Sequence, residues 1–68
     1  MKKYIISRIA KNGRRQYIKR LLPSVWSNYE CDAMPFSERA SKSAQRFLQG
    51  INPYCPIEIK EYHPPKLP

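Results

Sequence analysis

Only two thiols, Cys31 and Cys55, and one imidazole, His63, are available in this chain for nucleophilic, general-base or soft-metal chemistry near neutral pH. They stand far apart in sequence, with no C-x-x-C pair and no His partner at ligand spacing, so they do not read as a metal site. Glu30 and Asp32 are two apart in a loop-like stretch and read as solvated or capping carboxylates. Glu58 and Glu61 do not share a face of an extended strand. The two glycines, Gly13 and Gly50, make no phosphate-cradling loop. A nucleophile, a base and an oxyanion site cannot be assembled from these parts. The expectation is a protein without catalysis, metal or cofactor.

What the chain does carry is charge. Thirteen Lys and Arg against five Asp and Glu give a net charge of +8. The first 20 residues hold Lys2, Lys3, Arg8, Lys11, Arg14, Arg15, Lys19 and Arg20 and no acid, so the whole excess lies there. The remainder is neutral. Crowding cations into one small element costs self-repulsion that a polyanion would relieve. Solubility alone does not require such segregation.

The element positioning these cations reads as a hairpin over about 3–21. Residues 3–9 and 15–21 are rich in β-branched and aromatic side chains. Asn12-Gly13 between them is a turn pair of the two-residue type I′ kind. That register sets Lys11 opposite Arg14, Ile9 opposite Gln16, Ser7 opposite Ile18 and Ile5 opposite Arg20. One face then carries Ile5, Ser7, Ile9, Gln16, Ile18 and Arg20, aliphatic enough to lie under a helix. The other gathers Tyr4, Ile6, Arg8, Arg15, Tyr17, Lys19 and Leu21. A one-residue slip in the turn would move one strand's side chains to the opposite face.

Pro23 ends the second strand. Residues 22–36 read as irregular, with an optional helical turn near 24–29. Val25, Trp26, Met34 and Phe36 are expected to cover one end of the core. Ser37 is an N-cap residue for a helix at about 37–49, with Gly50 as its terminator. Ala40, Ala44, Phe47, Leu48 and Ile51 form its apolar stripe, and Arg39, Lys42 and Arg46 a second basic stripe on its outer side. Residues 57–62 alternate as a third strand with Ile57 and Ile59 inward. Residues 63–68 are a proline-rich tail containing the P-x-x-P stretch Pro65–Pro68, a minor candidate for a peptide-like docking motif. The prediction is a single α+β domain over 1–62, β-β-α-β, three-stranded and antiparallel in type. Its strand order is 2-1-3, with one amphipathic helix on one face. A looser alternative leaves 52–68 outside the fold. Sixty-eight residues exclude a deep interdomain cleft, and no apolar run reaches the roughly 20 residues that span a bilayer. The chain is therefore expected to be soluble and cytoplasmic, with neither a membrane nor a small-molecule substrate as partner.

Tyr4 and Ile6, then Trp26, Ala33 with Phe36, Ala40 in the helix and the strand Ile57-Glu58-Ile59 form a progression over about 3–62. It resembles the small accessory proteins of phages and prophages, which pair a short hairpin with one helix and a last strand. The basic hairpin and the proline tail are not part of that pattern. The resemblance implies a setting in a bacterial host cell and action by binding; such proteins commonly inhibit host machinery, CRISPR and other defence complexes included. It transfers no functional residue.

Two functions follow as expectations. The first is an anti-CRISPR-like inhibitor that binds a host protein or nucleoprotein complex through its basic hairpin, with an apolar anchor among Tyr4, Tyr17 and Trp26. The second is direct DNA or RNA binding. Bases would stack on Tyr4 and Tyr17 while Arg8, Lys11, Arg14, Arg15, Lys19 and Arg20 neutralise phosphate. Six such contacts on a duplex would give a log–log salt slope of about −5.

Overall fold

The computed structural model describes residues 2–63; the P-x-x-P stretch lies outside the described residues. The chain forms β1 (Tyr4–Ile9), β2 (Arg15–Arg20), β3 (Val25–Ser27), a 3-10 turn (Glu30–Asp32), α1 (Glu38–Ile51) and β4 (Ile57–Glu61). The sheet is antiparallel throughout, in the order β3-β2-β1-β4. The α+β class, the single helix and the last strand beside β1 agree with expectation. The strand count does not, because Val25–Ser27 adds a fourth strand on the outer edge of β2. The chain reverses at 21–24, where Leu22–Pro23 is cis and Ser24 Oγ donates to the Leu21 carbonyl at 2.9 Å. Opposite Val25, β2 carries an extra residue, a bulge between Ile18 and Arg20.

The hairpin register is shifted by one residue from the sequence-based one. Ser7 pairs with Tyr17, Arg8 with Gln16 and Ile9 with Arg15. The loop has three residues, Lys11-Asn12-Gly13, closed by Ala10 N–H donating to the Arg14 carbonyl at 2.8 Å. A type I′ turn needs positive φ at both central residues. Here only Gly13 is positive, at 83°, and Asn12 instead accepts from Arg14 N–H through its side chain at 3.0 Å. The slip exchanges the faces of β1. Tyr4, Ile6 and Arg8 join Gln16 and Ile18 on the helix side, while Ile5, Ser7 and Ile9 join Arg15, Tyr17 and Lys19 on the outer side.

Toward the open end of the hairpin the two strands part, and Met34–Phe36 lies between them. Met34 N–H donates to the Ile18 carbonyl at 2.9 Å, and Phe36 and Tyr4 exchange two backbone bonds of 2.8 Å. This insertion brings Phe36 into the core with Ile6, Ile18, Ala44, Leu48 and Ile57; Leu21, Trp26, Met34 and Ile59 pack around it.

Ser37 caps α1 as expected, its hydroxyl accepting from Ala40 N–H at 3.2 Å. Two features of the helix differ. Its inward face is Ser41, Ala44 and Leu48, whereas Ala40, Phe47 and Ile51 are exposed. Ser41 can be buried because its hydroxyl donates to the Glu38 carbonyl at 2.6 Å, so no polar atom is left unpaired. Gly50 does not terminate the helix. It stays helical, and Asn52 closes the end by donating to the Leu48 carbonyl from both backbone and side chain, each at 2.9 Å.

Candidate interaction surface

Arg8 was expected among the exposed cations. It lies instead on the helix side, 4.1 Å above the centroid of Trp26, its Nε donating to Gln16 Oε1 at 3.0 Å and its Nη1 to Asn52 Oδ1 at 2.7 Å. The guanidinium thus ties β1, β2 and the end of α1 together and covers a face of the one tryptophan. Tyr4, half-buried on the same side, and Tyr17, half-buried on the other, cannot form one stacking platform. The tyrosine-and-cation face drawn from the two-residue turn is therefore not assembled.

On the outer side Arg15 bridges two strands. Its Nη1 donates to Ser7 Oγ at 2.9 Å and to Glu58 Oε2 at 2.6 Å. The hydrogen bond it donates to Glu58 raises the guanidinium's already high pKa, against the opposing effect of desolvation, so it stays charged at any working pH. Both side chains are about half exposed, a setting in which ion pairs contribute about 0.2–1 kcal/mol. The same side of the sheet carries Lys60, whose Nζ reaches Glu30 Oε1 at 3.1 Å and so ties the 3-10 turn to β4.

Four of the five carboxylates have cationic partners: Glu58 with Arg15, Glu30 with Lys60, Glu38 with Lys42 at 3.8 Å and Glu61 with Lys2 at 4.0 Å. The fifth, Asp32, accepts from Ser27 Oγ at 2.6 Å. Among the described residues, Lys11, Arg14, Lys19 and Arg20 in the hairpin are exposed and have no carboxylate partner. Lys11 lies in the turn and Arg14 follows it; Lys19 and Arg20 sit at the far end of β2, at the bulge. The five-residue step from Arg14 to Lys19 covers about 17 Å of extended chain and, being odd, turns the two side chains to opposite faces, so these cations form one group at each end of β2. Arg39, Lys42 and Arg46 line the outer face of α1 over about 10 Å, as the i, i+3, i+7 spacing implied.

Sequence reasoning missed an apolar component. Phe47 is 42% exposed, Ile51 55% and Tyr54 92%. Ile51, Pro53 and Tyr54 line a shallow cleft with Ala10 and Lys11 of the hairpin tip. Phe47 and Ile51 are a turn apart on α1, a spacing that fits an exposed apolar patch as well as the core stripe expected of them. Cys31 is exposed and Cys55 half-buried, both as free thiols. Among the described residues no cluster of three or more His, Cys, Asp or Glu could hold a metal ion, and no helix is long and apolar enough to cross a membrane. The chain matches no family model, no curated protein and no solved structure.

Proposed function

We propose that this protein acts by binding, without chemistry, and that its target is a host nucleoprotein complex which it inhibits in the anti-CRISPR manner. The observation that carries the reading is the set of exposed hairpin cations, Lys11, Arg14, Lys19 and Arg20, which have no carboxylate partner among the described residues, while four of the five carboxylates are paired elsewhere. Such unpaired cations suit a phosphate backbone. The host-cell setting, the cytoplasmic location and the inhibitory role rest on the resemblance over 3–62.

Direct binding of naked DNA or RNA is the second reading, and two features favour the first over it. Single-strand recognition needs aromatic platforms beside the cations, but Tyr4 and Tyr17 face opposite ways and Arg8 occupies the Trp26 ring. Exposed Ile51 and Tyr54 beside the cationic tip, with exposed Phe47 one turn before Ile51 on α1, offer the apolar anchor that a protein surface rewards and a phosphate backbone does not. A nucleoprotein presents both chemistries.

The test combines binding to naked duplex at low salt with capture from bacterial lysate, before and after nuclease. The expected result is weak, salt-sensitive duplex binding that the double variant Phe47→Ser, Ile51→Ser retains. The same variant should lose a defined protein complex that the unaltered chain retains. Equal capture by both proteins, or nucleic acid as the sole captured species, would transfer the function to direct nucleic-acid binding.

A further inference from the structure

We propose that the outward edge of β4 accepts an extended acidic peptide from a partner as a fifth strand. In an antiparallel pair, residues alternate between bonding their neighbour and pointing away from it. Ile57 points away from β1: its N–H donates to Gln49 Oε1 at 3.0 Å and its carbonyl accepts from Gln45 Nε2 at 2.8 Å. Two helix glutamines thus cap the first outward position. By the same alternation Ile59 and Glu61 also point away from β1, in keeping with Tyr62 N–H bonding the Lys3 carbonyl at 2.7 Å. Their backbone groups have no hydrogen-bond partner among the described residues. The result is a short open edge, two donors and two acceptors long, starting where the glutamines stop.

The surroundings select the occupant. Between α1 and this edge runs a groove of about 610 Å³ lined by Lys42, Gln45, Arg46, Gln49, Gly50 and Ile59. An added strand would place alternate side chains there, against Ile59 and beneath Lys42 and Arg46. The intervening side chain would stand beside Lys60 on the outer face. Arg46 has no carboxylate partner among the described residues, while Lys42 and Lys60 hold exposed, exchangeable ones. Acidic residues beside Lys60 and Arg46 complete these positions.

A second copy of the chain fits poorly. Two-fold pairing that uses Ile59 and Glu61 sets Lys60 opposite itself, and like charges directly across a ladder destabilise it. Pairing centred on Ile59 removes that clash but requires the Ile57 backbone groups that Gln45 and Gln49 already hold.

The probe is an acetylated, amidated hexapeptide alternating valine and glutamate, titrated into the ¹⁵N-labelled full chain. Amide shifts should centre on residues 59–61, and hydrogen exchange at Ile59 and Glu61 should slow. The same peptide N-methylated at alternate residues should bind about tenfold more weakly, as loss of a net hydrogen bond predicts. Lys60→Glu should weaken binding similarly and Lys60→Gln less so, while Lys19→Glu leaves it unchanged, separating this edge from the hairpin. Shifts centred on the hairpin tip, equal binding of the N-methylated peptide, or no shifts at millimolar peptide would overturn the proposal. So would an oligonucleotide that protects the same two amides when the peptide does not.

Discussion

Gln49 joins the backbone of Ile57 to the turn that precedes it: its Oε1 accepts from Ile57 N–H at 3.0 Å while its Nε2 donates to the carbonyls of Asn52 at 3.0 Å and Cys55 at 3.2 Å. One side chain near the end of α1 thereby fixes where β4 begins. Gln49→Ala leaves the Ile57 amide with water alone, so it should lower stability by about 1 kcal/mol in urea unfolding. Exchange at the Ile57 amide should speed up markedly. Unchanged stability and exchange would show that the turn at 52–56 holds itself.

Arg8 is structural in this fold although it belongs to the cationic segment. Arg8→Lys keeps the charge but loses the planar fork that spans Gln16 and Asn52 and the stack on Trp26. A loss of about 1–2 kcal/mol is expected, with a change in tryptophan fluorescence. Arg14→Lys, at the exposed tip, should change neither. Equal behaviour of the two variants would place Arg8 with the free cations.

The two glycines should respond to alanine with opposite signs. Gly13 has φ of 83°, where a Cβ strains the backbone, so Gly13→Ala should cost about 1 kcal/mol despite open space around it. Gly50 is helical with nothing within 4 Å of an added Cβ. Gly50→Ala should stabilise by about 0.5–1 kcal/mol. Thermal unfolding of both variants checks the pair, and destabilisation by the second would mean that α1 ends before Gly50.

Local signals account for what could be read in advance. Ser37 with its helix, the Asn12-Gly13 turn and the alternation at Ile57 and Ile59 are each written within a few residues. The hairpin register is not, because Asn-Gly serves both two- and three-residue loops. The choice is settled at a distance, where Ile6 and Ile18 must share the side covered by α1 and Arg8 must meet Trp26. A three-residue strand such as Val25–Ser27 is too short to show a period. The helix face was misjudged because buried Ser41 satisfies its own hydroxyl and frees Phe47 and Ile51 to face solvent. The charge segregation was legible, but its division into structural Arg8, paired Lys2 and Arg15, and the free cations Lys3, Lys11, Arg14, Lys19 and Arg20 required the fold.

The central claim is that Lys11, Arg14, Lys19 and Arg20 are the surface that meets phosphate. The salt dependence of the weak binding to short duplex DNA tests it most directly. Four contacts predict a log–log slope of about −3.6, at roughly −0.9 for each phosphate neutralised. Replacing all four with Gln should flatten that slope toward zero, while Arg15→Gln, which removes a cation already paired with Glu58, leaves it in place. A flat slope for the unaltered protein, or the same slope after the fourfold replacement, would contradict the account.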